Sequence, residues 1–160
     1  MSHPKVEAVV ARAMSRLDAT VEQLSGYLDI PAISCEPEHA DDVRALAAKI
    51  RDDLEAAGMD ECQVLEIPGT LPIVTAQWMK AGAGAPTVLV YGHLDLQPVA
   101  GEIWRTPPHK ATRVGDRLYA RGSADDMGGW VSHIAALEAW LSEAGTLPVN
   151  LKVVIEGEEE

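Results

Sequence analysis

Apolar residues between Pro4 and Leu28 fall at Val6, Val10, Met14, Leu17, Val21, Leu24 and Leu28. Their spacing of three and four predicts one helix along this stretch, opened by Pro4 and closed before Pro31. A loop from Ser34 to His39 follows. A second helix is predicted from Ala40 to Ala57, with Val43, Leu46, Ile50 and Leu54 on one face. Asp41 and Asp42 suit its first turn, and Gly58 suits its carboxyl-terminal cap. The period then shortens. Cys62 to Ile67 and Ile73 to Trp78 read as strands, parted by Pro68-Gly69 and Pro72. Thr87 to Tyr91 is a short apolar run, as expected for a strand buried on both faces. Residues Gly101 to Gly115, with Pro107-Pro108, predict irregular structure. A long helix is expected from Asp126 to Ala144, with Trp130, Ile134, Leu137 and Leu141 on one face and Gly145 as its stop. Val149 to Ile155 forms a final apolar strand.

The last three elements make a strand–helix–strand crossover. The fold class this implies is α/β, a mostly parallel mixed sheet flanked by helices. In such sheets ligands collect at the carboxyl ends of strands. Two polar clusters sit at such ends: His93 and Asp95 after the Thr87 strand, and Glu158, Glu159 and Glu160 after the last one.

Composition narrows the class. The chain has 160 residues, 47% hydrophobic and 24% charged, which fits a globular domain and excludes a disordered one. Nothing approaches the ~18 consecutive apolar residues of a membrane span. The net charge of −12 repels phosphate backbones and argues against nucleic acid as a partner. Cys35 and Cys62 are far apart and supply neither a disulfide framework nor a zinc knuckle. The opening Met1-Ser2-His3-Pro4-Lys5-Val6-Glu7 leads into an amphipathic stretch and not an apolar signal region, so a reducing cytoplasm is the expected compartment.

Each cluster has a plain structural reading beside a chemical one. An isolated His-x-Asp is first a surface histidine beside a solvated aspartate; chemically, His93 could bind a metal while Asp95 orients its ring. Asp125-Asp126 could simply cap the long helix. Glu158 to Glu160 could be a solvated acidic run, although carboxylates crowded at a strand end need protons or a cation. Taken together, a His, Asp and Glu donor set without Cys suits zinc, or manganese or cobalt in its place.

The segments Tyr91-Gly92-His93-Leu94-Asp95-Leu96-Gln97-Pro98, Leu118 to Gly128 with Asp125-Asp126 inside it, Leu147-Pro148-Val149-Asn150 and Glu156-Gly157-Glu158-Glu159-Glu160 occur in this order. From about Val88 to the end the chain strongly resembles the co-catalytic zinc peptidases. That family includes carnosinase-type dipeptidases, aminoacylase, acetylornithine deacetylase, succinyl-diaminopimelate desuccinylase and carboxypeptidase G, and the His93 segment looks most like the dipeptidase branch. The resemblance implies a zinc-aminopeptidase-like catalytic domain that hydrolyses peptide or amide bonds of small peptides or N-acyl amino acids. It implies two zinc ions, with His93 on one, Glu160 on the other and Asp125 bridging. The catalytic assignments it implies are Asp95, orienting His93, and Glu159, the general base acting on metal-activated water. It further implies a homodimer for a full-length member. Ala120, Met127 and His109 depart from the family pattern at positions usually held by Gly, Lys and Phe.

The family also carries a dimerisation domain, another acidic ligand and a late His ligand beyond the matched segments. Residues 1–160 are therefore expected to be the amino-terminal portion of a truncated catalytic domain, with little activity alone. Its final strand is expected to leave an uncovered apolar edge and to promote self-association. The rival readings are a non-catalytic fragment and a metal-independent module whose acidic run binds a basic partner.

Overall fold

The computed structural model describes residues 4–160; Met1-Ser2-His3 of the amphipathic opening lie outside the described residues. Two helices, α1 (Pro4–Ser15) and α2 (Leu17–Leu28), replace the single one predicted. The break falls at Arg16, whose φ of −106° and ψ of 6° leave the helical basin. Ser15 Oγ donates back to the Arg12 carbonyl at 2.7 Å, and such hydroxyl back-bonding bends helices. Ion pairs Arg12–Glu143 and Arg16–Glu138 lie one turn before the break and at it. They tie α1 and the break to α4 (Met127–Ala144). The helical period is present, but the amino-terminal half of the predicted stripe is not the buried face: Val6, Val10, Met14 and Leu17 are exposed and Val9 is buried, whereas Leu24 packs against the core and Leu28 is fully buried.

After a 3₁₀ turn (Pro37–His39), α3 (Ala40–Ala56) buries Val43, Leu46, Ile50 and Leu54 as its period predicts. The strands are β1 (Asp60–Leu65), β2 (Ile73–Trp78), β3 (Thr87–His93) and, after α4, β6 (Asn150–Glu156). They form a mixed four-stranded sheet in the order β1-β2-β6-β3. β1–β2 and β2–β6 pair antiparallel, and β3–β6 pair parallel across the α4 crossover. The segment expected to be irregular, Gly101 to Gly115, ends in the first strand and turn of a short hairpin, β4 (Thr112–Val114), whose second strand β5 (Arg117–Tyr119) lies just beyond it. Its Gly115-Asp116 corner, with Gly115 at φ +61°, is the turn signal that revealed it too weakly beside three-residue strands.

The core lies between the sheet and the helices. Val74, Ala76, Trp78, Val153 and Ile155 from the sheet meet Tyr27, Leu46, Ile50, Trp130 and Ile134 from the helices. Two expectations need correction. β3 is not buried on both faces: Val88, Leu89 and Tyr91 are exposed, β3 lying at the edge of the sheet with β6 as its one neighbour there among the described residues. The last strand, β6, is not an uncovered edge; it sits inside the sheet, paired on both sides. No helix among the described residues is long and apolar enough to cross a membrane.

Candidate metal centre

The parallel register places His93 of β3 beside Glu156 of β6, so both strands end at one rim. Beyond it the chain runs extended through Leu94, Asp95, Leu96 and Gln97. Side chains alternate in such a segment. Leu94 and Leu96 are fully buried in the core, and His93, Asp95 and Gln97 share the side facing the acidic run. Leu94 N–H donates to the Glu156 carbonyl at 2.8 Å, and Leu96 N–H to the Ala32 carbonyl at 2.9 Å.

His93 is 6% exposed. Its Nδ1 lies 3.1 Å from the Asp95 main-chain carbonyl. A carbonyl can only accept, so Nδ1 carries a proton; Nε2, which donates to Asp125 when the ring is charged, is the nitrogen free for a metal once that proton leaves. Nε2 lies 3.2 Å from Asp125 Oδ1 and 4.0 Å from Glu159 Oε2. The His93 carbonyl accepts from the Trp130 indole N–H at 2.9 Å, which locks the residue to α4. Burial alone would lower the ring's pKa. The Asp125 hydrogen bond, the Asp95 charge and carbonyl, and Glu159 outweigh it, so the pKa stands above its ordinary value.

Asp125 and Asp126 stand at the start of α4, joined by a cis peptide bond. The Asp125 side chain is largely exposed and turned toward His93. Asp126 packs instead against Gly92 and Gly129, where a Cβ would meet its carboxylate. The acidic run is shaped by Gly157, whose added Cβ would come within 2.9 Å of the Pro72 carbonyl. Glu158 turns away from His93 and accepts the Leu71 N–H at 3.0 Å. Glu159 and Glu160 turn toward it. One donor atom each from His93, Glu159 and Glu160 can lie within 4.8 Å of one another.

All five residues singled out in the sequence, His93, Asp95, Asp125, Glu159 and Glu160, thus meet at the carboxyl rim of β3 and β6. The tight triplet contains Glu159 where the resemblance implied Asp125 as a ligand; Asp125 reaches the same histidine nitrogen from the other side. The donor set fits a divalent metal. A neutral imidazole presents Nε2 to carboxylates that would repel one another without a cation between them.

Residues 89–160 match the sequence model of peptidase family M20/M25/M40. From Leu89 onward the chain is thus similar to this peptidase family. A Beta-Ala-His dipeptidase of Mus musculus is 38% identical over 123 residues, covering 76% of this chain and 24% of that protein. A Cys-Gly metallodipeptidase of Schizosaccharomyces pombe is 32% identical, covering 100% of this chain and 35% of that protein. The chain therefore spans about a quarter to a third of the length of these relatives. Among solved structures, the dipeptidase Dug1p of Saccharomyces cerevisiae superposes with a TM-score of 0.87 at 27% identity, covering 99% of this chain and 36% of that one. Human carnosine dipeptidase 1 gives 0.85 at 29% identity, with the same coverage of 99% and 36%. The α/β fold expected from the sequence is that of these M20 catalytic domains.

Two residues of the site went unread in the sequence. Gln97 donates from Nε2 to Glu160 Oε2 at 2.6 Å and to its main-chain oxygen at 3.2 Å. Its signal was its place four residues after His93 in an alternating run. Trp130 was read as core; its indole bond to His93 follows no local pattern.

Proposed function

We propose that this protein serves hydrolysis of a peptide or amide bond in a small peptide or N-acyl amino acid, using two divalent metal ions, zinc by preference. His93 Nε2, Asp125 and Glu160 would hold the ions. When bound there, such ions would activate a water and polarise the scissile carbonyl. Glu159, half exposed and next to the ligands, takes the proton from the attacking water and passes it to the leaving amine. The His93 ring stays fixed because its Nδ1–H is committed to the Asp95 carbonyl. The observation that carries the reading is the buried, orientation-locked His93 nitrogen facing Asp125 and Glu159, with Glu160 beside it. Resemblance to the dipeptidases adds the small-peptide substrate class, the homodimer and the cytoplasmic setting to the same proposal.

A second reading has a specific observation behind it. Glu159 belongs to the tight triplet with His93 and Glu160, and on that geometry it is a ligand. Zinc retention decides between the two. Under the first reading Glu159→Gln keeps the metal bound by the wild type and suppresses dipeptide turnover, while His93→Ala loses the metal. Equal metal loss in both variants makes Glu159 a ligand. Full metal retention by His93→Ala removes the centre altogether.

A further inference from the structure

The Asp95 carboxylate is fully buried, and its contacts differ from those expected of a group that merely orients His93. The ring is held by the Asp95 main-chain carbonyl at 3.1 Å, whereas the nearest carboxylate oxygen is 3.5 Å from Nδ1. The carboxylate itself faces the acidic run. Oδ1 accepts the main-chain N–H of Glu159 at 3.2 Å, and Oδ2 accepts that of Glu160 at 3.0 Å. Each oxygen takes one amide, across 64 and 65 residues of chain.

We infer that Asp95 is a positioning residue for the Glu159-Glu160 backbone, acting through two main-chain hydrogen bonds and not chiefly through His93. This deepens the function proposed above and rests on it. Without such a device, the backbone after β6 has little to fix it. The sheet ends at Glu156, Gly157 carries no side chain, and Glu158 is tied back to Leu71. Two N–H groups, charge-assisted by a buried carboxylate, set where the next two side chains leave the chain. Gln97 then orients the Glu160 carboxylate from the same edge, at 2.6 Å. His93, Asp95 and Gln97 form a single template: a donor nitrogen, a backbone anchor and a side-chain anchor, two residues apart.

The test reads the amides directly, on the metal-free chain. Hydrogen exchange of the Glu159 and Glu160 amides is followed by NMR in wild type, Asp95→Asn and Asp95→Ala, with the β6 amides of Val153 and Ile155 as controls for the fold. A carboxamide offers one acceptor oxygen and one donor group, so Asp95→Asn must free at least one of the two amides. Asp95→Ala must free both, each exchanging about tenfold faster or more, with β6 unchanged. Zinc affinity of Asp95→Asn should fall by about 10–100-fold, the usual cost of losing a group that orients ligands. If Asp95→Ala does not fold, Asp95→Asn decides alone. Wild-type protection of both amides in Asp95→Asn overturns the inference, and a shift confined to the His93 ring resonances would return Asp95 to a purely imidazole-orienting role. Glu159→Gln keeps both main-chain bonds, so an error in the role of the Glu159 side chain leaves this readout intact.

Discussion

Gly92 lies buried on β3 between Tyr91 and His93, facing α4. A Cβ added there would sit 2.6 Å from Asp126 Oδ2 and 2.7 Å from Trp130 Cδ1. Carbon atoms pack best at about 3.5–4.0 Å, so Gly92→Ala must open roughly an ångström. Asp126 can turn away. Trp130 cannot do so cheaply: it is 1% exposed, its ring centroid lies 5.5 Å from that of Tyr27, and its indole N–H is bonded to the His93 carbonyl. Overpacking a core costs about 1–3 kcal/mol. Tearing the indole N–H from its acceptor in the buried interior costs about 1–3 kcal/mol more. The expected destabilisation is therefore about 2–6 kcal/mol. At about 2–4 °C per kcal/mol for a domain of this size, the midpoint falls by about 4–24 °C. Thermal melts followed by far-ultraviolet circular dichroism measure it, and near-ultraviolet spectra report the indole. Because the Trp130 acceptor belongs to His93, zinc affinity should fall as well. A melting midpoint within 1 °C of wild type with an unchanged near-ultraviolet spectrum refutes the reasoning.

Three further outcomes are expected. Both ring nitrogens of His109 are buried without a hydrogen-bond partner, and burial, then the charges of His39 and Arg121, hold its pKa below the ordinary value. A depressed histidine costs stability as pH falls from about 6.5 through the lowered value, so His109→Phe should add about 1–3 kcal/mol and flatten the acid side of the stability curve; parallel urea-denaturation curves across pH would contradict this. His93 has the opposite sign: its raised pKa means stability fully present below about 6.5 and lost as pH rises through the raised value in the metal-free chain, which a ring titration by NMR with a midpoint above 6.5 would verify. Glu158→Ala should leave zinc affinity within about twofold and cost under about 1 kcal/mol, since its carboxylate serves an exposed bond to Leu71; isothermal titration showing lost binding would place Glu158 among the ligands.

The fold was legible where periodicity and punctuation coincide. α3, β2, α4 and β6 start and stop within a residue of the expected bounds because Gly58, Pro72, Gly145 and Pro148 mark their ends. Arg16 carries no such mark, so the break between α1 and α2 was invisible; a serine hydroxyl and packing on α4 create it. The exposure of β3 was equally hidden, since an apolar run says how a strand could be buried and not which neighbours it has. The residues of the site were visible as polar groups at two strand ends and at the start of α4. Their connections were not. The bonds from Asp95 to the Glu159 and Glu160 amides join backbone to side chain across the whole crossover, and no local pattern encodes them.

The most direct test is zinc binding by isothermal titration at neutral pH, comparing the wild-type chain with His93→Ala and with Glu158→Ala. A metal centre at the rim of β3 and β6 predicts saturable zinc binding by the wild type, the same binding by Glu158→Ala, and a loss of about tenfold or more in affinity for His93→Ala. Indistinguishable isotherms for wild type and His93→Ala would contradict it.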